Sequence, residues 1–458
     1  MKKLTLSIIF FVLLSIPYSV SAEEYSLADL YRLALNRSET IKISEEDLYI
    51  AERGKDKARA VFLPTLSAFG YHTRFSEEKR QDDILLQPEH TNEWGVRLDQ
   101  TFSLSGRELT AYKIAGNSIT KSRFDLQAVK EEYLLNVSTQ YFTVLRAKKG
   151  LEISRANVER LKNHRDAAKI RLEVGEVTKT DLLRAEAELA GAHSELIRSE
   201  NDLIITFTRL AKTVGIRGDF DIKEPLSEED FKTPEELFTA MAIYMEDCQL
   251  SETDCLKETA ISERAEIKAS IIQKQISEDV VSYTKGSYWP SLSLEGEYFR
   301  QENDPATAFG VRERISGGLK LDFPFFEGGL RRAEVSEAKA RLRQAEHSVS
   351  DLKQEISVEV ENAYLALKRE AALINQVQAE LEFSLENYKS VMKQFQYGLA
   401  DSIDTIDANT LFVTAERDLA NAKYNYQLAF IDLKRATGVL LKTILAQESI
   451  GEITIPSD

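Results

Sequence analysis

The chain contains two copies of one unit. From Leu98 to Gly215 it aligns without a gap on Leu321 to Gly438, at a constant offset of 223. Matched pairs include Leu98/Leu321, Asp99/Asp322, Gly106/Gly329, Tyr141/Tyr364, Arg146/Arg369, Gly175/Gly398, Asp181/Asp404 and Gly215/Gly438. Just upstream, Leu63-Pro64-Thr65-Leu66-Ser67 parallels Trp289-Pro290-Ser291-Leu292-Ser293 at offset 226, so the first copy carries three extra residues in a loop. A register held this long is a duplication, and both halves must fold alike. The first repeat is read as 23–218 and the second as 263–440, with an acidic insertion at 219–262 and a tail at 441–458.

Each copy reads as short helices, two strands and a long helical hairpin, 106–215 and 329–438. No proline falls between Pro88 and Pro225 or between Pro324 and Pro456. Apolar or small residues recur every three or four positions at Val335, Ala338, Leu342, Ala345, Val349, Leu352 and Ile356, and again at Leu411, Ala415, Leu419, Ala422, Tyr426, Ala429 and Leu433. That is an alanine-rich coiled-coil seam, which lets helices approach closely. A single helix from Gly106 to Gly175 would reach on the order of 100 Å. Such a rod cannot bury its apolar stripe alone.

The strands, expected near 66–75, 93–104, 292–300 and 313–323, have two unlike faces. Trp94, Val96, Leu98, Phe102 and Leu104 point one way, with Gln100 as the polar exception, while Gly95, Arg97, Asp99, Thr101 and Ser103 point the other. Ile315, Gly317, Leu319, Leu321 and Phe323 alternate likewise with Ser316, Gly318, Lys320 and Asp322. Aromatic-rich strands of about ten residues with one charged face fit a transmembrane barrel with lipid outside and water inside. A soluble β-domain with one wet face is the other reading. Four strands cannot close a barrel, and an open edge cannot sit in lipid with its backbone groups unsatisfied. Three chains would supply twelve.

The ends and the composition agree with export. Residues 1–22 read as a signal peptide, with Lys2 and Lys3, an apolar run from Leu4 to Ile16, and Val20-Ser21-Ala22 before Glu23. A retained anchor is the competing reading, but the run is short for a bilayer span. The net charge of −16 argues against nucleic acid as a partner. Cys248 and Cys255 are the only cysteines, and in an oxidising compartment a short-loop disulfide is the expectation.

At this point the sequence resembles the TolC family of outer-membrane efflux proteins. The resemblance covers the whole mature chain. It is carried by the duplication, by the two Pro-containing strand openings above, and by Phe323-Pro324-Phe325-Phe326-Glu327-Gly328-Gly329 at the strand-to-helix turn. The hairpin tips 174–183 and 397–408 complete it. It implies an α+β membrane protein: a homotrimer whose shared β-barrel, four strands per chain, sits in outer-membrane lipid and continues as a long α-helical coiled-coil tunnel through the periplasm. The tunnel end would dock on a periplasmic adaptor served by an inner-membrane transporter of RND, ABC or MFS type, for efflux or type I secretion. The acidic insertion and the tail would form an equatorial band. Cargo stays open.

No catalytic constellation, cofactor motif or metal-ligand cluster is legible, and the five histidines (His72, His90, His164, His193, His347) read as scattered surface residues. Asp404 and Asp407 lie one helical turn apart just past the Gly398 turn. The resemblance makes them the pore constriction, where converging carboxylates would repel one another and gather cations. Alternatively Asp404 caps the returning helix. Its repeat mate Asp181, beside Thr180, is a capping residue or a gate residue. Val174, Gly175, Tyr397, Gly398 and Leu399 would be the tips the adaptor grips, or else simple turns needing positive φ. One position departs from the family pattern: Ala400 stands where an arginine ties the closed tip in the best-known members, so closure must be held differently, with Lys179 or tyrosine packing as candidates. The alternative to a channel is a coiled-coil structural or adhesive protein of the envelope.

Overall fold

The computed structural model describes residues 23–224, 252–307 and 312–451. The signal-peptide reading and Cys248 lie outside the described residues. The elements in chain order are β1 (Glu23–Tyr25), α1 (Leu27–Arg37), α2 (Glu39–Ala60), β2 (Thr65–Arg74), β3 (Lys79–Gln81), β4 (Ile84–Gln87), β5 (His90–Ser103), α3 (Arg107–Glu173), α4 (Lys179–Val214) and β6 (Phe220–Ile222). They continue with α5 (Glu252–Glu263), α6 (Ala265–Lys285), β7 (Ser291–Asp304), β8 (Glu313–Asp322), α7 (Leu330–Gln396), α8 (Ser402–Ala436) and α9 (Leu440–Gly451).

The duplication is visible in the element starts. β2 and β7 begin 226 positions apart, and β5 and β8, α3 and α7, and α4 and α8 each begin 223 apart. The long helices α3 and α7 are both 67 residues, on the order of 100 Å each. Both are entered through a left-handed glycine, Gly106 at φ 73° and Gly329 at φ 91°, a conformation that costs glycine no Cβ clash. The tip half of α3 packs on α4 and that of α7 on α8, while α2 and α6 flank α3 and α6 flanks α7.

The strands form one antiparallel sheet in the order β2-β5-β7-β8. Its register keeps two faces distinct across all four strands. Leu66 pairs with Leu98, Val96 with Tyr298, and Leu292 with Phe102 and Leu321, all on one face. The opposite face carries Glu297, which accepts from Arg97 at 3.0 Å and Arg314 at 3.1 Å, and the Thr101–Ser293 hydroxyl pair at 2.8 Å. Gln100, the polar exception on the apolar face, is buried and donates Nε2 to the carbonyl of Val61, closing the end of α2. No described helix is long and apolar enough to cross a membrane.

The densest packing lies midway along the rods. One cluster joins Leu256 of α5, Ile267 of α6, Ile356 and Leu367 of α7, and Leu433 of α8. The other joins Leu30 of α1, Leu134 and Leu145 of α3, Leu210 of α4, Ile222 of β6 and Leu440 of α9. The short parallel pair β1–β6 is tied to the rod by Tyr141, whose hydroxyl donates to the carbonyl of Lys223. Cys255 sits buried on α5.

Buried between these clusters, Glu131 of α3 is 3% exposed, and burial pushes its carboxyl up to about 7 despite a hydrogen bond from Gln127 at 3.3 Å. A raised value means that the stabilising contribution is complete below the unfolded carboxylate's 4.5 and is lost as pH rises through about 7. The loss by pH 8 is on the order of 3 kcal/mol per chain. Thermal melts at pH 5, 7 and 8 should therefore show a falling midpoint for the parent and a flatter profile for Glu131→Gln. Parallel profiles would refute this.

Candidate functional site

Two tips lie at the ends of the hairpins, and backbone rules shape both. Val174 and Tyr397 end the long helices, and Gly175 (φ 82°) and Gly398 (φ 75°) follow in the left-handed conformation. At the first tip Glu176 N–H returns to the Arg171 carbonyl and Gly175 N–H to Leu172. At the second, Leu399 N–H returns to Gln394 and Gly398 N–H to Phe395. These are paired helix-ending turns whose 6→1 and 5→2 bonds demand a residue without Cβ strain. Around the glycines, Val174, Tyr397 and Leu399 are 67%, 81% and 77% exposed.

The returning helices start on reciprocal caps. Thr178 accepts from Asp181 N–H while the Asp181 carboxylate accepts from Thr178 N–H at 2.8 Å and from its hydroxyl at 2.7 Å. These bonds from Thr178 hold the Asp181 carboxyl below the usual range. In the second copy Asp401 accepts from Asp404 N–H at 2.9 Å, and Asp404 accepts from Asp401 N–H at 3.2 Å. Such a capping box satisfies two otherwise free donors. Asp404 therefore caps its helix, and Asp407 stands one turn further on. Both are exposed, as are Thr180 and Lys179.

What joins the two tips lies on α3. Arg171 donates Nη1 to the carbonyl of Phe395 at 2.6 Å and Nε to Glu176 at 3.0 Å, with its guanidinium 4.7 Å from the Phe395 ring centre. A Cβ on Gly398 would stand 3.2 Å from the same guanidinium. Further up α3, His164 bonds Ser402 at 2.9 Å, Arg160 bonds Asn409 at 3.1 Å and Glu416 at 3.3 Å, and Asn157 accepts from Asn409 at 2.8 Å. Asn157, Arg160, His164 and Arg171 follow helical spacing, so one polar ladder on α3 meets the second hairpin. Within the first hairpin, Val158 and Leu161 pack against Leu189 and Ala192, with the Ser154–Ser199 hydroxyl pair at 2.9 Å beside them. His164 corrects the expectation of a surface histidine: it is 2% exposed. The ladder was missed because polar residues on a helix read as its wet face. Their spacing of three, four and seven was the available signal.

The described residues have the fold of outer-membrane channels. The solved structure of CusC matches with a TM-score of 0.77 at 16% identity, over 91% of this chain and 93% of that one. The CmeC outer membrane channel of Campylobacter jejuni matches with a TM-score of 0.77 at 17% identity, over 92% and 89%. A family model described as outer membrane efflux protein matches residues 30–216 and 256–439, and the chain belongs to that family. Outer membrane protein TolC of Vibrio cholerae is 24% identical over 96% of each chain. The alkaline protease secretion protein AprF of Pseudomonas aeruginosa is 22% identical over 71% of this chain and 65% of its own length. The protein is thus an outer-membrane exit duct for efflux or type I secretion, with its helical part in the periplasm.

Proposed function

We propose that three copies of the chain close one twelve-stranded barrel in outer-membrane lipid and one helical tunnel below it, forming a passive conduit without catalytic chemistry of its own. The observation that carries this reading is the sheet. Its apolar face lies open in a single chain, with Leu66 70%, Ile315 82%, Leu319 73% and Leu321 62% exposed. Among the described residues of one chain, its outer strands β2 and β8 have one partner each. In lipid such edges must pair, and only closure achieves it. The rods show the same need: Ile204 of α4 and Val358, Leu365 and Phe383 of α7 are exposed at 64%, 58%, 54% and 63%.

On a threefold axis Asp404 and Asp407 become two stacked rings of three carboxylates at the narrow end. Asp404 serves both as cap and as ring member, since its second oxygen remains free to face the axis. Thr180 and Asp181 stand at the matching level of the first tip as gate residues. The exposed tips Val174-Gly175 and Tyr397-Gly398-Leu399 offer the surface for a periplasmic adaptor, behind which an inner-membrane transporter supplies the energy. With Ala400 in place of an arginine, closure within each chain falls to Arg171. Cys248 and Cys255 close a short loop in the equatorial band formed by residues 219–262 and the tail.

The test is single-channel recording of the purified protein in planar lipid bilayers. Small cation-selective steps, blocked by added divalent cations, are expected. Failure to insert into bilayers would overturn the shared barrel, and insertion without divalent block would remove the constriction role.

A further inference from the structure

His164 joins both arms of the second hairpin to α3. Its Nε2 lies 2.9 Å from the Ser402 hydroxyl, in the first turn of α8, and its ring centre is 4.9 Å from that of Phe395, in the last turn of α7. The side chain is buried, and Nδ1 has no hydrogen-bond partner among the described residues. A neutral imidazole suits this place, because one nitrogen meets a hydroxyl that can donate or accept and the other need not donate. An imidazolium does not suit it, because both nitrogens must then donate and Nδ1–H finds no acceptor.

The surrounding charges do not repair this. On α3, Arg160 is held by Asn409 and Glu416, Arg165 by Asp166, and Arg171 by the Phe395 carbonyl and Glu176. On α8, Asp401 and Asp404 close their own capping box at the exposed end. On α7, Lys393 is exposed, and so are Arg184, Glu186 and Glu188 on α4. The N-terminus of α8, where Ser402 sits, adds a partial positive charge that further disfavours a cation. Burial accordingly holds the imidazole below the ordinary histidine value.

We propose that His164 is a proton sensor in the joint between the two hairpins, so that acid loosens the second tip from the first and favours the open duct. The inference rests on the channel reading above. When the tips part, the imidazole meets water and regains a value near 6.5, typical of a free histidine. The joint is therefore at full strength above about 6.5 and weakens as pH falls from there toward the lower value of the closed form. Within that window the ratio of parted to joined tips gains up to about tenfold per chain for each pH unit. A duct whose periplasmic end is bathed in fluid that equilibrates with the medium would read external acidity directly.

The experiment records the full-length protein in planar bilayers, in symmetric salt without divalent cations, from pH 8 to pH 5. Conductance or open probability should rise severalfold below about 6.5. His164→Gln, which keeps one hydrogen-bonding end but no titration, should remove the rise, while the Asp404→Asn/Asp407→Asn variant should keep it. A flat parental profile, or an unchanged rise in His164→Gln, overturns the proposal. Should the protein form no channels, the channel reading fails first, and a second readout decides the sensor separately. Spin labels introduced at exposed Lys179 and Lys393 (K179C and K393C) report the distance between the tips in detergent. Widening from pH 8 to 5.5 in the parent but not in His164→Gln sustains the proton sensor, and no widening overturns it.

Discussion

Replacing Asp404 and Asp407 together with asparagine should raise the divalent concentration needed for half-block by more than about tenfold and abolish cation preference. The size follows from charge: one carboxylate about 4 Å from a unit charge contributes roughly 1 kcal/mol in water and 4 kcal/mol at an effective dielectric of 20. Only about 1.4 kcal/mol is needed for a factor of ten, and a divalent ion at two rings meets several such interactions. The fold should survive, because an asparagine oxygen at 404 can still accept from Asp401 N–H as the carboxylate does at 3.2 Å. Asp407→Asn alone is the cleaner probe, since Asp407 lies outside the capping box. Bilayer titrations with a divalent cation decide it, and block unchanged in the double variant would place the constriction elsewhere.

Arg264→Ala should cost about 3–5 kcal/mol, the range expected when one partner of a buried ion-pair network is removed. Its side chain is only 4% exposed and grips Glu266 through two nitrogens at 3.1 and 2.8 Å. It also reaches Glu359 at 2.9 Å and the Ala436 carbonyl at 3.2 Å. Truncation removes one of the two guanidiniums that hold Glu266 and Glu359, leaving Arg435 to face both carboxylates, and strips the Ala436 carbonyl of its Arg264 donor. Gly438, at φ 74°, lies so close that a Cβ there would stand 3.0 Å from the Arg264 backbone nitrogen, so the gap cannot simply collapse around a shifted chain. Arg264→Lys should recover only part of the loss, because an ammonium cannot reproduce the two-pronged grip. Thermal melting at neutral pH measures both, and an Arg264→Ala midpoint within a degree or two of the parent would refute the assignment.

How much of this could be read from sequence depends on whether the determinant was local or periodic. Glycines 223 apart declared the helix entries and tips, because only a residue without Cβ enters the left-handed region cheaply. Alternation declared the two faces of β5 and β8, and cross-strand register in the structure keeps those faces together. Gln100 broke the pattern for a reason invisible locally, as its partner is the Val61 carbonyl at the end of α2. Thr178-x-x-Asp181 and Asp401-x-x-Asp404 are legible caps, but a cap and a pore carboxylate look alike in sequence and here one residue can serve as both. Least legible was the joint between the hairpins. His164 and Arg171 find their partners more than two hundred residues away, and their repeat mates are Asn387 and Gln394, so duplication did not mark them and their helical spacing alone did not say what they meet.

The equal lengths of α3 and α7 make them a pair of matched legs. One heptad inserted into α3 alone would lower its tip by about 10 Å, out of level with the other, and the bonds from Arg171, His164, Arg160 and Asn157 would all lose their partners together. The reach of such a chain can therefore change over evolutionary time only through edits made in both legs at the same height. The constant offset between its halves is what that constraint leaves behind.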